Sequence, residues 1–172
     1  PMGLLVAVGT GDDFSTPLGA GLSTPGRVAI SLGTGEVIGA LHATPLRDEG
    51  GLLETHAFPG GLYYVENPGW YSGGAMVWLR DLLGLADFAA MDKLADAVPP
   101  GADGLCFIPA LTGAMAPEWH PAARGCFYGL TPAHGRGHLV RALLEGCSFA
   151  MRDVIDHMAR IGVATESILL LG

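Results

Sequence analysis

The chain has 172 residues, 49% of them hydrophobic and 15% charged, with a formal net charge of −8. That length supports one domain with a real core, and the acidic balance excludes nucleic acid, which needs clustered Lys and Arg. No basic amphipathic stretch suits a membrane surface, and no apolar run reaches the roughly 18 residues needed to span one. Three cysteines, Cys106, Cys126 and Cys147, are odd in number and far apart. They match neither a zinc spacing nor a disulfide framework. Together with the lack of a secretory leader pattern, they favour the reducing cytoplasm.

In chain order, the apolar run Leu4 to Val8 predicts a first strand over about 4–9, leading into Thr10-Gly-Asp-Asp13. A small-residue helix or turn is expected over 14–21. Strands over 27–32 and 37–41 are joined by Gly33-Thr34-Gly35, a tight hairpin by composition. Two further strands, 52–58 and 62–66, flank Pro59-Gly-Gly61. Ser72 is the expected N-cap of a helix over 73–83, and an amphipathic helix follows over 88–98. Pro99 to Asp103 is a turn, and 105–109 a short buried strand. A long helix from about His138 to Gly162 presents Leu139, Leu143, Cys147, Ala150, Val154, Met158 and Ile161 on one face. Gly162 is a natural C′ residue. Gly146 in its middle costs about 1 kcal/mol relative to Ala, which implies close packing at that point. Ser167 to Gly172 reads as a final strand of a sheet continued by more chain. Its apolar side chains would then be left exposed, and the chain prone to self-associate. Strand hairpins followed by alternating helix and strand give an α/β fold, a mixed sheet flanked by helices.

Three places carry candidate chemistry. Asp12 and Asp13 follow an apolar strand in Gly9-Thr-Gly-Asp12, and ligands gather at strand ends of open α/β sheets. An Asx turn or N-cap accounts for the same residues on spacing alone. Gly33-Thr34-Gly35 offers successive backbone N–H groups and a hydroxyl, an anion-binding concavity; a plain β-turn fits the composition equally. Ser72-Gly73-Gly74-Ala75 opens a helix with small residues, and Gly73 would lie against a ligand there because only glycine permits close backbone approach. Trp78 and the three cysteines read as core. Tyr63, Tyr64, Trp70 and Tyr71 read as hairpin packing. His134 and His138 read as capping residues at a helix start, and His120 as a surface histidine. No His spacing suggests a metal site.

Pro121-Ala-Ala-Arg-Gly-Cys-Phe-Tyr-Gly-Leu-Thr131, running into Arg141-Ala-Leu-Leu-Glu-Gly146, resembles the C-terminal signature of the FGGY carbohydrate kinases. This family includes xylulokinase, gluconate kinase and glycerol kinase. Gly9-Thr-Gly-Asp12 is similar to the family motif whose Asp accepts the sugar hydroxyl proton. Asp13 stands where Asn or Gln is usual. Ser31, Gly33 and Thr34 match the Ser-x-Gly-Thr-Ser phosphate segment, with Gly35 in place of Ser. Gly113-Ala-Met-Ala-Pro117 lacks the Glu and Arg of the pentulose kinases, and Ala116 to Pro121 is closer to the glycerol kinase loop. The resemblance runs from about Val6 to Gly172. It implies the second lobe of an actin-like, ribonuclease-H-like ATPase fold, truncated at its C-terminal end and lacking the N-terminal lobe as partner. It also implies ATP-dependent phosphorylation of a small sugar or polyol, with D-xylulose favoured, and Mg2+ as companion of ATP. Asp12 is then the catalytic base, Asp12 and Asp13 the substrate contacts, and Gly33, Thr34 and Gly73 the ATP-binding residues. A homo-oligomer is compatible with this reading. A non-catalytic actin-like nucleotide-binding or switch module is the alternative. A switch would position water rather than a sugar hydroxyl, and so has no use for Asp12 as base to a polyol.

Overall fold

The computed structural model describes residues 3, 9–67, 69–115 and 119–172. The strand expected over 4–9 lies, but for Gly9, outside the described residues, as do Ala116 to Glu118 of the loop compared with glycerol kinase. In chain order, α1 (Asp12–Gly19) precedes the hairpin β1 (Arg27–Leu32) and β2 (Glu36–His42), then β3 (Glu54–Phe58) and β4 (Leu62–Asn67). Helices α2 (Ser72–Leu82) and α3 (Phe88–Asp96) follow, then the short strands β5 (Cys106–Ile108) and β6 (Cys126–Tyr128), the long helix α4 (Arg136–Arg160) and β7 (Ser167–Leu171).

Five strands form one mixed sheet in the order β3-β4-β2-β1-β7. Among the described strands only β7 runs parallel to its neighbour, pairing Val28 with Ile168 and Ile30 with Leu170. The period-2 alternation of β1 and β2 assigns the two faces. Val28, Ile30, Ile38, Ala40 and Val65 pack with Val154 and Met158 of α4. Ala29, Leu41, Phe58 and Tyr64 pack with Leu22 and with Phe14 of α1 on the opposite face. A second core lies beyond the end of the sheet. There Ala75 and Leu79 of α2, Met91 and Ala95 of α3, and Val140, Leu143 and Cys147 of α4 surround Phe107 of β5. The long helix thus serves both cores.

The ends of α4 follow backbone chemistry. The Gly135 N–H donates to His138 Nδ1 at 3.0 Å, so His138 caps α4 as expected, while the Thr131 N–H donates to His134 Nδ1 at 3.0 Å in the turn before the helix. At the other end Gly162 takes φ 105°. Its N–H reaches Ala159 O, and that of Val163 reaches Met158 O. This is the paired 5→2 and 6→1 pattern that closes a helix on a glycine. The surface pairs Arg141–Glu145 (2.7 Å) and Arg152–Asp156 (2.9 Å) follow the i, i+4 rule.

Several expectations change. Ser72 is not the N-cap of α2 but its first residue, after Tyr71; its hydroxyl is engaged elsewhere. The strand expected over 52–58 begins at Glu54, because the Asp48 carboxylate gathers the N–H groups of Gly50, Leu52 and Leu53 into a turn. Cys106 and Cys126 are exposed rather than core. They flank Phe107 and Phe127, whose rings turn inward, and alternation sends their neighbours outward. β6 itself was not expected. Trp78 is 37% exposed, stacked on Phe107 at 6.5 Å rather than enclosed. β7 lies at the sheet edge with Ile168 55% and Leu170 64% exposed, the uncovered apolar face anticipated for the last strand. No helix among the described residues is long and apolar enough to cross a membrane.

Gly146 shows why α4 carries a glycine. A Cβ there would lie far inside contact with the Phe107 carbonyl oxygen. Gly146→Ala gains about 1 kcal/mol of helix propensity but forces helix and strand apart at a backbone atom, and overpacking costs about 1–3 kcal/mol. The β5 backbone is fixed by pairing with β6, so the upper part of that range applies. We expect a lower denaturation midpoint for Gly146→Ala. A midpoint equal to the parent's would refute the close approach.

Candidate active site

The β1–β2 turn is the centre of the site. Leu32 pairs with Glu36, leaving Gly33, Thr34 and Gly35 to reverse the chain. The Gly33 N–H closes the turn on Gly35 O at 2.9 Å, and the Thr34 carbonyl accepts the Gly74 N–H at 2.9 Å. The N–H groups of Thr34 and Gly35 have no backbone partner among the described residues. Adjacent unpaired amides of this kind are the geometry of an anion-binding turn; that of Gly33, expected to join them, is engaged in the turn.

The turn is bordered by a cleft on each side. One, of about 210 Å³, is lined by Asp12, Asp13, Thr16, Ser31, Gly33, Gly35 and Val37. The other, of about 380 Å³, lies against Gly33, Thr34, Tyr71, Gly73, Gly74, Val77 and Phe88. Gly33 lines both. The expected residues Asp12, Asp13, Gly33, Thr34 and Gly73 therefore all meet around one turn, although 61 sequence positions separate Asp12 from Gly73.

Asp12 and Asp13 occupy the first turn of α1, after the N-cap Gly11. Neither is the N-cap, and neither carboxylate has a hydrogen-bond partner among the described residues, so the capping explanation of these residues does not apply. Both are exposed, and the positive end of the helix favours their negative charge. Gly73 makes its close approach to the protein itself. A Cβ there would collide with the Gly33 carbonyl oxygen, so glycine is needed to seat α2 against the turn. Trp70 supplies backbone rather than a ring. Its carbonyl accepts the N–H groups of Glu36 and Ser72, each at 2.9 Å, and its side chain is buried.

Sequence reasoning missed Glu36. It was read as the residue just before a strand, whereas it begins β2 on the same face as Ile38 and Ala40. It is 1% exposed. The Ser72 hydroxyl donates to its Oε2, while Oε1 is buried without a partner. Desolvation pushes the carboxyl up to about 7, against the lowering effect of Ser72 and the Trp70 backbone. The available signal was the period-2 continuation of β2 by one residue onto a charged side chain. Glu66, opposite Gly39 in β4, is also raised, first by burial and further by the charges of Asp13 and Glu54, while His56 opposes the shift.

A mixed sheet backed by a long helix, with an anion-ready turn between an acidic cleft and a glycine-walled one, is the actin-like, ribonuclease-H-like architecture of an ATPase lobe. The sequence model of the FGGY family of carbohydrate kinases, C-terminal domain, matches residues 28–172. The chain belongs to this family. It is 32% identical over 158 residues to a gluconokinase of Bacillus subtilis, covering 86% of this chain and 31% of the relative. It is 36% identical over 153 residues to a glycerol kinase of Gloeobacter violaceus, covering 87% and 31% respectively. The crystal structure of xylulose kinase from Bifidobacterium adolescentis superposes with a TM-score of 0.85 at 33% identity, covering 95% of this chain and 32% of that one. The chain thus spans about a third of the length of the relatives it matches, and those relatives are named for three different substrates.

Proposed function

We propose that this chain supplies the base and part of the nucleotide site of an ATP-dependent kinase for a neutral sugar or polyol. A ketopentose such as D-xylulose is the favoured substrate. The observation that carries this reading is the shared wall: Gly33 borders both the cleft of Asp12 and Asp13 and the cleft of Gly73. A substrate hydroxyl in the first and the phosphates of a nucleotide in the second would meet at the Thr34 and Gly35 amides. Asp12 accepts the hydroxyl proton as the substrate oxygen bonds to the γ-phosphorus and the bond to the β-phosphate oxygen breaks, releasing ADP. The Thr34 and Gly35 N–H groups stabilise the phosphoryl oxygens. Asp12 and Asp13, exposed hard-oxygen donors on the acidic cleft, would hold the Mg2+ that accompanies ATP, a cation that usually takes one or two carboxylates plus phosphates and would neutralise phosphate charge there.

Among the described residues the lining of the acidic cleft holds no Lys or Arg, and a wall without a cation suits a neutral substrate better than a sugar acid. The test is ADP release by the full-length gene product with D-xylulose, glycerol and gluconate. D-xylulose or glycerol should be the better substrate. Gluconate as best substrate would overturn the charge argument, and no stimulation by any would overturn the kinase reading.

A further inference from the structure

The connection between the turn and α2 runs through a pair of buried side chains. Glu36 and Ser72 are 1% and 0% exposed, respectively, and their side chains are joined by the Ser72 hydroxyl. Three backbone bonds run beside them. The Glu36 and Ser72 N–H groups both reach Trp70 O, and the Gly74 N–H reaches Thr34 O, each at 2.9 Å. Gly69 presses on the Glu36 backbone and Gly73 on that of Gly33 with no room for a Cβ at either position. A carboxyl is a costly choice for this place. It lies in an apolar core, one oxygen is orphaned, and a buried polar group without a partner is destabilising. In some proteins a buried polar group specifies geometry that apolar packing would leave loose.

Resting on the kinase reading above, we propose that Glu36 is a positioning residue: through the Ser72 hydroxyl it holds the first turn of α2 against the Gly33–Gly35 turn, fixing the amides that face the nucleotide phosphates. Its charge state matters because of where it lies. The groups facing it are the Ser72 hydroxyl from α2, the Trp70 backbone, and from α4 the Cys147 thiol, which burial and Glu36 itself push up to about 11. None is a cation. Neutral, Glu36 is a compact bridge. Ionised, it places an uncompensated negative charge directly behind the amides that receive an anion. Its folded-state value is raised, so the folded form holds a proton that the unfolded chain releases from about 4.5 upward. The stabilisation is full below that value and is lost as pH rises toward about 7.

The experiment compares the full-length protein with Glu36→Gln and Ser72→Ala. It reads amide hydrogen exchange, corrected for the intrinsic pH dependence, and the KM for ATP, roughly one pH unit either side of the Glu36 value. Ser72→Ala should speed exchange at the Gly33, Glu36 and Gly74 amides by about tenfold or more, with the β3–β4 ladder unchanged. In the parent, the same three amides should exchange faster and KM for ATP should rise as pH increases, with kcat moving less. Glu36→Gln, which keeps the shape and cannot ionise, should flatten both pH dependences. Retention of the parent's pH profile by Glu36→Gln, or unaltered exchange at the three amides in Ser72→Ala, would overturn the proposal. A protein without sugar-dependent turnover would overturn the kinase reading instead, while exchange at the turn still decides the role of Glu36.

Discussion

Asp12→Asn in the full-length enzyme should lower kcat by about 10²–10⁴ and leave the KM for ATP within a few-fold of the parent. Asn has nearly the same shape as Asp and gives up only the helix-end attraction of the charge, about 0.3–1 kcal/mol, so α1 and its cleft should persist. What disappears is the ability to take a proton, since an amide oxygen accepts a hydrogen bond without accepting the proton itself. Asp12 borders the acidic cleft and not the glycine-walled one, which is why the loss should fall on the chemical step. A variant with kcat within a few-fold of the parent, about the scatter of such measurements, would remove Asp12 from the role of base. Parallel losses in kcat and ATP affinity would mean that the substitution has moved the turn.

The 172-residue chain by itself should show no sugar-dependent ATP turnover. Both clefts are walled here on this chain's side only, by an exposed helix start and an exposed turn. Holding reactants in alignment can supply about 7–11 kcal/mol of a barrier, and an open wall cannot confine a hydroxyl and a γ-phosphate in line. The relatives it matches carry about two-thirds of their length outside the aligned region, and we assign the opposing wall to such a segment. A coupled ATPase assay on the purified chain, with and without D-xylulose, checks this. Robust sugar-stimulated turnover would place the active site wholly within these residues and refute the present assignment of the two clefts.

Much of this was legible from local chemistry. The apolar period of α4, the glycine at its end and the close approach at Gly146 each follow from a residue type in a position with one physical use. The Gly33-Thr34-Gly35 turn was legible for the same reason. The side of the turn on which each ligand cleft lies was not, because it depends on a contact between residues 40 positions apart, Gly33 and Gly73. Ser72 was misassigned because a serine before a helical run has two uses. A cap is local and visible in sequence, whereas a bond to a buried carboxyl from β2 is neither. Cys106 and Cys126 were misassigned because a three-residue strand is too short to display its alternation, so their apolar character suggested burial. Asp12 was expected in the connection between a strand and a helix or turn over 14–21, and it lies instead in the first turn of α1, because the helix begins two residues earlier than its small residues suggested.

The reach of α4 has a consequence for how the domain comes apart. Its first half is embedded with Phe107 among α2 and α3, and its second half lies under the five-stranded sheet. At about 1.5 Å per residue, 25 residues make a rod of roughly 37 Å. Neither core can melt without stripping apolar cover from this rod, so the two are not separate foldons but one cooperative unit. Among the described pieces with no share in these two cores are the start of α1 and the outer strand β3, where fraying can occur without opening either. One of these carries the Asp12 carboxylate, so the helix start proposed to meet the substrate can move without opening either core that α4 serves.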